Sequence, residues 1–100
     1  MMRVKFIAPA RREFLQEVLY YNEQKPGLGA AFVLDIEEAT VRAVTFPEAG
    51  SPAPMNTKRV FAQKFPFSVV YRPDNEGIVV FAVAHHSRKP KYWVSRIVER

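Results

Sequence analysis

Residues 58–93 read KRVFAQKFPFSVVYRPDNEGIVVFAVAHHSRKPKYW. Strand-like runs follow one another here, Arg59 to Phe65, Phe67 to Arg72 and Ile78 to His86, each rich in β-branched or aromatic residues and parted by short turns that carry Pro or Gly. That spacing predicts an antiparallel meander. Ile78 to Ala84 is apolar at every position, as in a central strand covered on both faces. The chain turns at Pro73 to Gly77, and the strand that follows delivers His85, His86, Arg88, Lys89 and Lys91 at its exit. Lys58 to Arg72 holds basic residues and no Asp or Glu. Such a surface suits an anionic partner.

Upstream, Arg3-Val4-Lys5-Phe6-Ile7 alternates charged and apolar residues, which predicts a half-buried strand with Val4 and Phe6 facing the core. Pro9 suits the first turn of a helix, and Phe14, Val18 and Tyr21 follow at helical spacing as far as Gln24. Lys25-Pro26-Gly27 ends that helix. Leu28 opens a second, in which Phe32, Ile36, Ala39, Ala43 and Phe46 recur every three or four residues before Pro47 closes it. The short connection predicts an antiparallel helical hairpin. Residues 47–57, PEAGSPAPMNT, lack a period and read as a loop.

The fold class is therefore α+β, order β-α-α-β-β-β. The hairpin packs on one face of a mainly antiparallel sheet, and the other face is open and basic. A chain of 100 residues is expected to form a single domain, residues 1–100. No cysteine is present, which removes disulfides and thiolate chemistry and fits a reducing, cytoplasmic location. No apolar run is long enough for a membrane span or a signal peptide, so no membrane partner is expected. The net charge of +5 is uneven: residues 1–50 carry six Lys or Arg against seven Asp or Glu, residues 51–100 nine against three.

Of the groups able to do chemistry, His85 and His86 carry imidazoles, the side chain suited to work as an acid or a base. Neighbours on a strand point to opposite faces, so one of them at most faces a shared site, and His86 is chosen because it shares the parity of Ile78, Val80, Ala82 and Ala84. The alternative is local hydrogen bonding at a strand end. Tyr92 and Trp93 either stack on a nucleobase or pack back over a core edge. Glu13 and Glu17, four residues apart with Arg11 and Arg12 nearby, read as a solvated face without chemistry. No metal-ligand set, phosphate loop or cofactor fingerprint is present, and no cofactor is expected.

The ordered segments VKFIAPARREFLQEVLYY, PGLGAAFVLDIEEA, FPFSVVYR and IVVFAVAHHSRKPKYW resemble the RelE/ParE superfamily of toxins from bacterial type II toxin–antitoxin systems, over nearly the whole chain. The resemblance implies neutralisation by a cognate antitoxin, with operator DNA reached only through the toxin–antitoxin complex. It also implies one of two activities. RelE-like members are metal-independent endoribonucleases that cut mRNA on the ribosome, whereas ParE-like members inhibit DNA gyrase. The basic residues of the RelE-like site find matches in Arg59 and Arg88, with His86 as an acid or base. The arginine of the middle strand is replaced by Ser68, however, and a lysine position by Phe61. These departures favour the ParE-like, gyrase-directed reading, with the ribosome-dependent nuclease and an inactive antitoxin-binding member as alternatives. An acidic antitoxin segment is expected to lie along the hairpin at Tyr20 and Tyr21, its carboxylates meeting Lys89, Lys91 and Arg96.

Overall fold

The computed structural model describes residues 3–97. Strand β1 (Arg3–Phe6) leads into helices α1 (Ala8–Gln24) and α2 (Leu28–Thr45), then strands β2 (Ser51–Ala53), β3 (Thr57–Phe61), β4 (Phe67–Asp74) and β5 (Gly77–His85), and a 3₁₀ turn at Val94–Arg96. The expected order holds with one addition, β2, which lies in the segment read as a loop. β2 pairs antiparallel with β3, Ser51 opposite Arg59. As an outermost strand it accommodates Pro52, whose missing N–H breaks no ladder there.

The sheet runs β1-β5-β4-β3-β2. β3, β4 and β5 form the antiparallel meander, and β1 joins the far edge parallel to β5, Arg3 opposite Gly77 and Phe6 opposite Val80. Val4, expected inside, is exposed on this outer strand, while Phe6 packs on Phe14 with ring centroids 5.8 Å apart. Pro9 sits in the first turn of α1, where no intrahelical N–H bond is lost. The helices touch closely at Gly29, where a Cβ would lie 2.6 Å from the Val18 carbonyl oxygen.

Apolar side chains fill both faces of the sheet. Beneath the hairpin, Phe32, Ile36, Ala39 and Ala43 from α2 meet Phe67, Val69, Tyr71, Ile78, Val80 and Val83. On the opposite face Val70 and Ala82 are covered by Trp93 and Ile97, with Phe81, Tyr92 and Val94 beside them. That face, expected open, is thus partly roofed by the C-terminal segment.

An irregularity in the β4–β5 pairing sorts the two clusters. Val70 lies opposite Ala82 but Tyr71 opposite Val80, so Phe81 is the extra residue of a β-bulge. Alternation along β5 reverses there. Ile78 and Val80 face the hairpin, while Ala82 and Ala84 face the other way with Phe81.

β3 stops at Phe61 instead of reaching Phe65, and the cause is Asp35. Its buried carboxylate accepts the backbone N–H groups of Gln63 at 3.0 Å, Lys64 at 2.9 Å and Phe65 at 2.8 Å. Three amides in a row given to one carboxylate cannot also form a strand ladder. Burial alone would raise the Asp35 pKa, but these bonds and the Lys64 charge outweigh it and hold the pKa below the usual carboxylate value. A depressed folded-state pKa contributes stability that is fully present above the ordinary value of about 3.9 and is lost as pH falls through the folded value. Asp35→Asn should therefore cost about 2 kcal/mol at pH 7, as lost charge-assisted hydrogen bonds do. The gap from the unaltered chain should narrow below about pH 4. Urea titrations across that range measure it, and a gap independent of pH would refute the assignment.

Candidate functional site

On the face away from the hairpin, a depression of about 350 Å³ lies between β3, the ends of β4 and β5, and the C-terminal segment. Ser68, Val70 and Ala84 form its floor, Arg59, Phe61 and His86 stand on one side, and Arg88, Lys89, Lys91, Tyr92 and Trp93 on the other. The reversal at the bulge puts His86 here, on the face of Ala82 and Ala84 and opposite to Ile78 and Val80. Parity alone had grouped all of these together. Its Nε2 lies 3.0 Å from the Ser68 Oγ, and its ring lies edge-on to Phe61 at 5.8 Å. His85 points the other way, against Phe67 at 5.0 Å, and its Nδ1 accepts the Ser87 N–H at 2.9 Å.

Arg59 and Arg88 reach the depression from opposite walls. The Arg59 guanidinium carbon lies 6.0 Å from the Phe61 ring centre, and the side chain is exposed. That of Arg88 lies over the Tyr92 ring, 3.9 Å from its centre. Lys89 and Lys91 stand exposed on the rim, and Lys91 adopts the left-handed conformation, with φ of 68°. Arg59, His86, Arg88, Lys89 and Lys91 are therefore brought together. Tyr20 and Tyr21 lie elsewhere, with Glu17 and His85 at the hairpin face of the sheet. Tyr20 is exposed, while Tyr21 packs on Phe65 at 4.8 Å, and burial raises the pKa of its hydroxyl.

Arg96 is not on the rim. Its guanidinium grips the Glu13 carboxylate with two bonds, Nη1 to Oε1 at 3.0 Å and Nη2 to Oε2 at 3.1 Å. Glu13 is buried, contrary to its reading as a solvated residue, and no local signal in the sequence marks it out. Its Oε1 accepts the Val83 N–H at 2.8 Å, its Oε2 accepts the Tyr92 hydroxyl, and Arg88 Nη1 lies 3.8 Å from Oε2. Arg96 Nη1 also donates to the Phe81 carbonyl at 3.0 Å. β1 pairs with β5 only as far as Val80, and beyond that point two side chains replace a neighbouring strand, one accepting and one donating. Burial and the adjoining carboxylate push the Tyr92 pKa far up, so its hydroxyl stays a donor. Burial tends to lower the Arg96 pKa, but Glu13 more than offsets it. Trp93 is buried against the sheet, so of its two readings the structure takes the packing one.

The arrangement presents cations and aromatic side chains around a largely apolar floor. Among the described residues no cluster of His, Asp or Glu could hold a metal ion. No helix among them is long and apolar enough to cross a membrane.

Residues 4–90 match the family described as ParE toxin of type II toxin-antitoxin system, parDE, and the chain belongs to that family. It is a toxin of the type II class, whose partner is an antitoxin. A chain from the chromosomal ParDE toxin–antitoxin system of P. aeruginosa has the same fold, with a TM-score of 0.71 at 19% identity over 85% of this chain and 96% of that one. No curated protein matches the sequence.

Proposed function

We propose that this toxin arrests growth in the cytoplasm by binding a protein target, DNA gyrase, through the basic depression, and that it does not cleave RNA. One observation carries the reading. Among the residues that line the depression, position 68 on the middle strand carries a hydroxyl bonded to His86 in place of a cation, and the cations are Arg59, Arg88, Lys89 and Lys91. Cleavage of RNA without a metal needs a base at the 2′-hydroxyl and a cation close to the crowded phosphate. Rim cations around an apolar floor instead match the anatomy of a protein interface, with arginine and aromatic anchors. The antitoxin would compete for this face, its carboxylates meeting Lys89 and Lys91, or would dock instead on the hairpin beside Tyr20 and Tyr21.

Induced alone, the chain should stop DNA synthesis before protein synthesis, and purified protein should inhibit gyrase supercoiling. Arg88→Ala should raise the concentration for half-inhibition by roughly thirtyfold, as loss of an interface arginine anchor does. The fold should survive, since the side chain is half exposed and such ion pairs contribute at most about 1 kcal/mol. Early cessation of translation with cleaved mRNA would establish the nuclease alternative. Normal growth with soluble protein would leave an inactive antitoxin-binding member.

A further inference from the structure

We infer that Glu13 is the positioning residue of the basic depression: it holds Arg88 in place from the hydroxyl end of Tyr92 without itself lining the depression. The inference rests on the target-binding reading above for what the depression does, but not for the geometry. Arg88 lines the depression and Glu13 does not. Three groups fix the carboxylate, the Val83 N–H, the Tyr92 hydroxyl and the two-pronged Arg96 guanidinium, so it is a buried and rigid anion. Arg88 meets it through one nitrogen, at 3.8 Å, while its guanidinium carbon stands over the Tyr92 ring. Among the described residues no hydrogen bond takes the remaining N–H donors of Arg88, whose side chain is about half exposed, at 52%, and open to a ligand.

An arginine on a mobile surface segment loses rotamer entropy whenever it binds. Here the sheet, the helix and the aromatic ring have removed that freedom in advance. Tyr92 has two parts in this, its ring supporting Arg88 and its hydroxyl completing the Glu13 shell. The carboxylate therefore does more than cap the exposed edge of β5. It links α1 to the C-terminal segment and sets where the cation stands.

Two measurements test the inference. The first uses the unaltered protein: rotation of the Arg88 guanidinium, followed by arginine side-chain nitrogen NMR, should be slow. In Glu13→Gln, which keeps an oxygen acceptor and loses the charge, that rotation should become fast. Free rotation in the unaltered chain overturns the inference whether or not the variant folds, and the result does not depend on any target. The second is a double-mutant cycle on gyrase inhibition. Glu13→Gln alone should weaken inhibition about fivefold, and in the Arg88→Ala background it should add nothing, the pattern of two residues acting as one. Stability losses behave differently, because Glu13 also serves Arg96 and Val83, and they should persist in both backgrounds. Equal weakening in both backgrounds would make Glu13 purely structural. Stronger inhibition by Glu13→Gln would make it a competitor for Arg88, and either result refutes positioning. Should the unaltered chain leave gyrase untouched, the target reading fails and the NMR measurement alone decides.

Discussion

Replacing Phe32 by Ala should lower the unfolding free energy by about 3–5 kcal/mol, the range for deleting a buried aromatic ring. Phe32 has no exposed surface and stands at the centre of the hairpin-side core. Its ring meets Phe67 at 4.9 Å, Tyr21 at 5.2 Å, Phe65 at 5.3 Å and Phe14 at 5.9 Å, so a single truncation strips contacts from α1, from β4 and from the segment gripped by Asp35. Neighbouring rings cannot collapse into the space without leaving their own rotamers. Against a total of about 5–15 kcal/mol, the variant would stand close to unfolding at 37 °C. Urea denaturation followed by the fluorescence of Trp93, the single tryptophan, measures the loss. Phe32→Leu, which keeps most of the volume, should recover much of it. A cost under about 1 kcal/mol for the alanine would contradict the packing described.

Gly77→Ala should be nearly as damaging, for a different reason. Gly77 opens β5 with φ of 150°, a conformation that side chains other than hydrogen rarely adopt. A Cβ at this position would overlap the backbone of Arg3, the residue paired with it across the β1–β5 ladder. Strain of this kind costs about 1–3 kcal/mol, and relief requires β1 to move away from the sheet. Hydrogen exchange would separate the outcomes. The Ile7 N–H, bonded to the Val80 carbonyl at 3.1 Å, should lose protection while the β4–β5 amides keep theirs. Unchanged exchange at Ile7 would show that the turn absorbs the extra carbon elsewhere.

Both helices and the meander were legible in the sequence because each is a local pattern. Apolar spacing every three or four residues marks α2, and an uninterrupted apolar run marks β5. What escaped depends on groups far apart in the chain. Asp35 ends β3 by holding residues 28 to 30 positions away, and nothing around Phe61 announces it. The bulge at Phe81 sits inside a run with no polar residue to reveal a change of side, so His86 reached its face for a reason that alternation did not supply. β2 lay unseen because a Pro-containing strand of three residues has no period to detect. At the site, the basic and histidine residues could be listed from the sequence, and Arg59, His86, Arg88, Lys89 and Lys91 line one depression, whereas Arg96 grips Glu13 and Tyr20 and Tyr21 stand on the hairpin face. Glu13 could not, since a helical carboxylate flanked by Arg11 and Arg12 looks solvated until its partner, 83 residues on, is brought beside it.

Of the five strands described, β1 is made before the others and must wait for its neighbour in the sheet. β1 leaves the ribosome early, but its neighbour in the sheet is β5, beginning at Gly77. At about 5–20 residues per second several seconds pass before that neighbour exists. Meanwhile the hairpin, whose contacts are close in sequence, can already form. Glu13 waits longer still for Tyr92 and Arg96. A nascent chain thus passes through a stage in which its helices are made and its basic wall is not, and a message cut short before Gly77 yields a fragment without that wall at all. An antitoxin present during translation would meet the helices of its partner before the surface proposed for gyrase has been assembled.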